Sequence, residues 1–449
     1  MPGKSRAMLH EILFVILYLG LLPVVLVSPF AGVLLYYWLD WLPPDQVYQD
    51  TLLPANLSFT VGALTFVLWI FREKKRIPSS PLLTAIMAAM LIWINITSLK
   101  ALAPVFVDFD WNRTVKVLGF AILTALMLST RERIEAFVWA LVLATAYFAI
   151  PGAIKVLISG GSGGIGDGEV VVGAYGSFFG DRVGLAVVLA MVLPFALYLR
   201  RHPGLLPPNW QASAKPAMLV TAAAFLIASI GTFARTAVFA SGAALLMLGV
   251  RARRKVSAVI GVAFTILVML AIAPANWFDR MNLIVNYQSD GSALDRLSAW
   301  KWAWHFTLQH PFFGGGFGVF HLDAGSIYGR PGWLEAHNIF FQVMAEQGFV
   351  GFGLFCLLLL ATYRSCAVVQ KRVRGHDGLA WAADLARAVQ IGLAAYIAGG
   401  MFISIATAPY PFVLAAITIG LRDIVARQLA VPVERRSLPA ARPAVQPAA

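Results

Sequence analysis

From Ile12 to Leu421 the chain returns repeatedly to apolar stretches of about twenty residues, separated by short polar segments. A stretch of that length, wound as helix, crosses the roughly 30 Å hydrocarbon core of a bilayer. The 449 residues could otherwise hold two or three soluble domains, but 59% are hydrophobic and only 13% charged, which excludes that reading. Outer-membrane barrels are excluded too, because their strands alternate in polarity over about ten residues. The fold class expected is an all-α polytopic membrane protein.

A net charge of +13 would suit nucleic acid if the lysines and arginines gathered on a soluble face. They gather instead in short loops. The first eleven residues, 72–76, 131–135, 200–215, 251–255, 364–387 and the tail from Arg422 hold 25 basic and 8 acidic residues, against 10 and 14 elsewhere. This positive-inside asymmetry sets orientation, with the basic segments in the cytoplasm, and removes nucleic acid as a partner. Cys356 and Cys366 fall on different faces of one expected helix, about 15 Å apart, so no disulfide is expected. Lys4 and Arg6 precede a long apolar run with no small-residue cleavage site, which predicts a retained first helix.

Starting from the cytoplasmic run Arg72-Glu73-Lys74-Lys75-Arg76, spans are expected near 54–71, 82–99, 113–129, 134–158, 177–199, 216–233, 234–250, 256–273, 338–362, 385–408 and 410–421. The segment 12–42 is long enough for a hairpin around Ser28-Pro29. Two crossings from a cytoplasmic N-terminus would place Arg72 outside, however, so a single crossing broken near Pro23 and Pro29 is preferred. That gives about twelve helices in one transmembrane domain, 1–430, with both termini cytoplasmic. The Pro-, Ala- and Arg-rich tail, 431–449, reads as disordered.

Two outer segments stand apart. Ser159 to Gly168 is Gly-rich and reads as a linker, whereas Pro274 to His337 runs for 64 residues, far more than a turn needs. Long loops tend to carry function. Within it, Ser292-Ala293-Leu294-Asp295 resembles a capping box and Pro311 with Gly314, Gly315 and Gly316 ends the pattern, predicting helix over 293–310. Leu297, Trp300, Trp304 and Leu308 share one face, as in a helix lying in the membrane interface.

Three arginines occupy outer helix ends: Arg182, beside Asp181, then Arg235 and Arg296. Guanidinium is always charged and forks onto phosphate oxygens. Of seven histidines, four lie outside: His305, His310, His321 and His337. His305 and His310 project about 140° apart on a helix, a poor start for a metal site, and none is expected. His337 sits where the long loop re-enters the membrane, in Glu335-Ala336-His337-Asn338, followed by Gln342 and Glu346. A neutral imidazole there can accept a proton from a hydroxyl.

Taken together, Arg296-x3-Trp300, Pro311-x2-Gly314-x-Gly316 and His337-Asn338-x3-Gln342-x3-Glu346-x-Gly348 resemble the core signature of the bacterial O-antigen ligase and polymerase superfamily. The N-terminal half, including Phe178-Phe179-Gly180-Asp181, resembles the branch of O-glycosylation ligases found beside exosortase systems. The resemblance implies a C-type glycosyltransferase-like fold with a long periplasmic loop. It also implies an undecaprenyl-pyrophosphate-linked glycan as donor and no cofactor. By position it makes His337 the essential loop histidine and gives Arg235 and Arg296, with Arg182 beside them, to the pyrophosphate. Ala234 stands where many relatives have Ser, and Arg182 where many have Asn.

The expected reaction is therefore metal-independent transfer of a glycan to lipid A-core at the periplasmic face of the inner membrane. His337 acts as general base and the anomeric centre inverts. Asn338, Glu335 and Asp295 are supporting candidates, the two carboxylates orienting His337. A polymerase acting on the same donor and a ligase acting on protein are the alternatives. A non-enzymatic transporter of lipid-linked glycan would need a midplane polar site built from broken helices.

Overall fold

The computed structural model describes residues 2–42, 57–75, 77–79, 81–158, 171–172, 180–252, 255–273, 277–278, 281, 291–322 and 335–430. Every regular element among them is helical. The α-helices are α1 (Pro2–Val27), α2 (Pro29–Trp41), α3 (Leu57–Arg72), α4 (Pro81–Leu99), α5 (Val107–Met127), α6 (Arg131–Ile158) and α7 (Arg182–Arg201). They continue as α8 (Pro208–Gly231), α9 (Arg235–Arg251), α10 (Lys255–Ile272), α11 (Gly291–Gln309), α12 (Ile339–Arg372), α13 (Ala380–Gly400) and α14 (Pro409–Ala430). Five of these, α4, α6, α7, α8 and α12, are long and apolar enough by length and composition to cross a membrane. The Gly-rich segment 159–168, Phe178-Phe179, much of the 274–337 loop and the tail from 431 lie outside the described residues.

Apart from the first eleven residues, the segments grouped by their basic charge meet at one end of the bundle. Arg133 on α6 pairs with Glu73 after α3 at 2.7 Å, and His202 after α7 meets Asp384 on α13 at 2.9 Å. Arg427 on α14 donates to the Ser129 carbonyl, and Asp423 accepts from Ser79 N–H at 3.2 Å. At the centre runs α7, whose residues 184–196 are all buried, packed on α8, α9 and α13.

The segment 12–42 differs from its expected single crossing. Phe14 on α1 and Trp38 on α2 lie with ring centroids 5.8 Å apart. On one continuous helix they would be about 36 Å apart. The chain therefore reverses at Ser28, and α1 and α2 form an antiparallel hairpin. Arg72 donates to the Leu26 carbonyl and the Arg133 guanidinium lies 5.2 Å from the Phe30 ring, so the turn sits at the basic end. Arg72 keeps its place; what gives way is the assumption that α1 begins at that end.

The expected span 338–362 also changes. Gly348 has φ 66° and ψ −174°, which breaks α12 into a short helix, 339–347, and a long one, 349–372. That conformation is essentially open to Gly alone. The break is held by the turn 311–316: Gly315 N–H donates to Ala345 O at 2.8 Å, Gly316 N–H to Glu346 O at 2.9 Å and Phe349 N–H to Pro311 O at 2.8 Å. A Cβ on Gly348 would fall 2.2 Å from the Phe312 carbonyl oxygen, and one on Gly314 would fall 2.6 Å from Ala345 O. Gly348→Ala should therefore lower the thermal stability of detergent-purified protein, with backbone strain alone costing on the order of 1–3 kcal/mol. An unchanged melting midpoint would reject the clasp. The expected span 385–408 likewise stops early, with α13 ending at Gly400 and 401–408 forming a turn at the end opposite the basic loops.

Candidate functional site

Two helix N-termini come together at the end opposite the basic loops. Asp181 caps α7, its carboxylate accepting from Val183 N–H and from Gly184 N–H at 2.9 Å, so Arg182 becomes the first helical residue. The capping leaves Asp181 committed to the backbone; among the described residues Arg182 has no hydrogen-bond or ion-pair partner. α9 starts after a tight turn in which Phe233 takes φ 51° and Thr232 Oγ1 accepts from Ala234 N–H at 3.3 Å. Ala186 on α7 packs with Ala234 and Ala237, with Val183 beside them. Small residues at this seam bring the two helices close, and with them the ends bearing Arg182 and Arg235. Helix N-termini carry partial positive charge, so the start of α9 with Arg182 and Arg235 is suited to an anion, whereas the Asp181 carboxylate already occupies the start of α7.

Arg296 is half-buried on α11, with Asp295 half-buried before it. The helix is found over Gly291–Gln309, close to its expected bounds, but its inner face differs. Ala299, Ala303 and Thr307, spaced by four, are fully buried, and α11 packs on α12. Leu297, Trp304 and Leu308 stay exposed, whereas Trp300 turns away from them: its Nε1 donates to the Ala336 carbonyl at 2.7 Å and its ring stacks on Phe341 at 5.6 Å. Trp300 thus pins the segment that carries His337. Of the other outer histidines, His305 is exposed, His310 stacks on Phe306 at 4.4 Å and His321 on Phe106 at 4.1 Å. Among the described residues no three His, Cys, Asp or Glu side chains converge as a metal cage.

His337 has φ 46°, a left-handed conformation rare outside Gly and costly unless its surroundings impose it. They do. Its N–H donates to Ser404 Oγ at 2.9 Å, and the Ser404 side chain also hydrogen-bonds Glu335. Asn338 caps α12 by accepting from Phe340 N–H at 2.8 Å and Phe341 N–H at 3.3 Å, while its amide donates to Met401 O at 3.2 Å. Phe402, in the same turn, stacks on Phe239 of α9 at 4.5 Å, which ties the histidine segment to the helix that Arg235 begins. Burial holds the His337 imidazole below its ordinary value, and the Arg296 guanidinium pushes the same way, against an opposing pull from Asp181. His337 is thus neutral over more of the acid range than a free histidine. Burial pushes the Glu335 carboxyl up, the Ser404 bond pulls it down, and the Asp110 and Asp181 charges raise it further.

The structure thus brings His337, Glu335 and Asn338 together with Ser404, and places the Arg296 and Asp181 charges close enough to act on the imidazole. Ser404, Asp110 and Arg113 were not singled out in the sequence. Ser404 fell inside an expected span, and Asp110 just ahead of one. Their only signal was polarity at the start of α5 and in the turn before α14.

No curated protein matches the chain. Residues 9–204 match a family of unknown function, DUF5935. Residues 217–356 match the family described as O-antigen ligase. That stretch, 140 of the 449 residues, contains Arg235, Arg296, the Trp300 anchor, His337 and the break at Gly348, and over it the chain is similar to the O-antigen ligases.

Proposed function

We infer that the protein is a glycosyltransferase that moves a glycan from undecaprenyl pyrophosphate onto a hydroxyl of lipid A-core at the periplasmic face of the inner membrane. The observation that carries this reading is His337: a histidine kept neutral by burial, locked in a strained backbone, beside a half-buried arginine in a stretch similar to the O-antigen ligases. His337 takes the proton of the acceptor hydroxyl as that oxygen attacks the anomeric carbon. The bond from that carbon to the pyrophosphate oxygen breaks with inversion, and the electron pair leaves on the polyprenyl pyrophosphate. Arg235, Arg296 and Arg182 stabilise the departing charge, the N-terminus of α9 adding to them. Glu335 orients His337 through Ser404, Asn338 fixes the helix that follows, and Asp295 serves as a further orienting carboxylate. With arginines carrying the charge, activity should survive EDTA in full; a requirement for added divalent metal would reject the metal-free mechanism.

The reaction is tested with purified protein, a lipid-linked glycan and lipid A-core. The expected product is a single transfer onto lipid A-core with no lengthening of the donor. Lengthening of the lipid-linked glycan when lipid A-core is omitted would replace this reading by a polymerase, and transfer only to a protein acceptor by a protein ligase. Orientation is tested separately. In a background lacking Cys356 and Cys366, a cysteine at Ser292 should react with an impermeant maleimide on intact spheroplasts and one at Ser257 should not. The reverse pattern would move the site to the cytoplasm.

A further inference from the structure

Two different electrostatic settings adjoin the segment that carries His337. The adjoining ends of α7 and α9 bear Arg182 and Arg235, and Arg296 acts on the imidazole from α11. Glu335 and Ser404, which hold the histidine segment, instead form part of the wall of a cavity of about 420 Å³ between α5, α12 and the turn 401–408. Such a volume falls within the roughly 300–1,000 Å³ of small-ligand sites. None of the three arginines lines it. Its ionisable wall groups are Asp110, Asp181, Glu335, Glu346, His321 and Arg113.

Glu346 is the informative side chain. It is only 7% exposed, yet it lines the cavity. Its Oε1 receives a long hydrogen bond of 3.4 Å from Gln342 Nε2, and its Oε2 has no partner. Gln342 is not free to improve this, because its Oε1 is held by Ala406 N–H at 3.1 Å. A buried carboxyl group at a cavity wall with one oxygen unpartnered can be satisfied by a ligand that hydrogen-bonds it. A metal does not fit, since no three of the acidic and histidine groups among the described residues converge on one point. Vicinal sugar hydroxyls do fit: each donates to a carboxylate and can accept from Arg113 or Gln342.

We propose that this cavity is the acceptor subsite, and that it takes a hydroxyl-rich sugar ring bearing no carboxylate or phosphate. This rests on the transfer reading of the site. The anionic donor is held by arginines on one flank of His337, and the acceptor ring by carboxylates on the other. The base then stands between the hydroxyl it deprotonates and the carbon that is attacked. An acidic substituent on the acceptor ring would meet like charge, which costs affinity without touching the donor side.

The test uses two synthetic lipid-anchored disaccharides that differ only in the terminal ring, glucose against glucuronate. Binding to the full-length protein without donor reads the cavity, and turnover with lipid-linked glycan reads the reaction. Wild type should bind the glucose lipid at least about tenfold more tightly, and KM should differ by the same factor. Asp110→Asn with Glu346→Gln should weaken the glucose lipid several-fold and shrink the gap to about threefold or less. Equal binding of the two lipids by wild type would overturn the proposal, as would a glucose-lipid affinity unchanged in a folded Glu346→Gln variant. If the transfer reading fails instead, the binding preference persists with no turnover of either lipid; turnover of both without preference is the failure of this proposal alone.

Discussion

His337→Ala should abolish glycan transfer while leaving the protein folded and able to bind a polyprenyl pyrophosphate. Loss of a general base typically costs about 10²- to 10⁴-fold. Activity within about threefold of wild type would remove His337 from the mechanism. The pH profile offers a second check whose sign is fixed by the structure. The base works deprotonated, and its folded pKa lies below the ordinary value of about 6.5. Activity should therefore hold as pH falls through 6.5 and fail only below it. Replacing Arg296 with Gln removes one of the two causes of the lowering, so the acid limb should move up towards 6.5 even as the rate falls. An acid limb unmoved in Arg296→Gln would mean that the guanidinium does not act on the imidazole.

The second large effect belongs to the arginines. Arg235→Ala and Arg296→Ala should each lower turnover by about 10²- to 10³-fold, comparable with losing one preorganised donor to a developing anion. Lysine should restore only part of this, because a point charge cannot fork across two phosphate oxygens. Affinity for a polyprenyl pyrophosphate should fall in all four variants. Arg182→Ala is expected to be milder, since the adjacent Asp181 carboxylate already offsets part of its charge. A lysine variant with full activity would show that charge alone suffices and the forked geometry is not used.

The helical framework could be read from the sequence because apolar length and loop charge are local properties, and both survive in the structure. What escaped depends on which distant residues touch. The hairpin at Ser28 turns on Phe14 meeting Trp38, while the parity of crossings could be satisfied equally well by moving the start of α1. Gly348 sits in an apolar run where glycine is common in membrane helices, and only the backbone of 311–316 lying against it forces the positive φ. For the proposed site, the family resemblance supplied His337, Arg235 and Arg296. Ser404 was hidden because it follows His337 by 67 residues and looks, in sequence, like one more polar residue in a span. The role of Trp300 was misjudged for a related reason: its spacing fits a lipid-facing stripe, and only the Ala336 carbonyl turns it inward.

The break in α12 decouples rotational phase. On a continuous helix, any twist or slip of the long span 349–372 would swing Asn338, Gln342 and Glu346 about the axis by 100° per residue. Here the phase of 339–347 is set from its own far end, by three backbone hydrogen bonds to the glycine turn 311–316 and by the Asn338 cap. The membrane span can then adjust its tilt to bilayers of different thickness while the residues beside His337 keep their bearing. The short helix behaves as part of the loop's scaffold, and the residues around His337 are insulated from movements of the long helix.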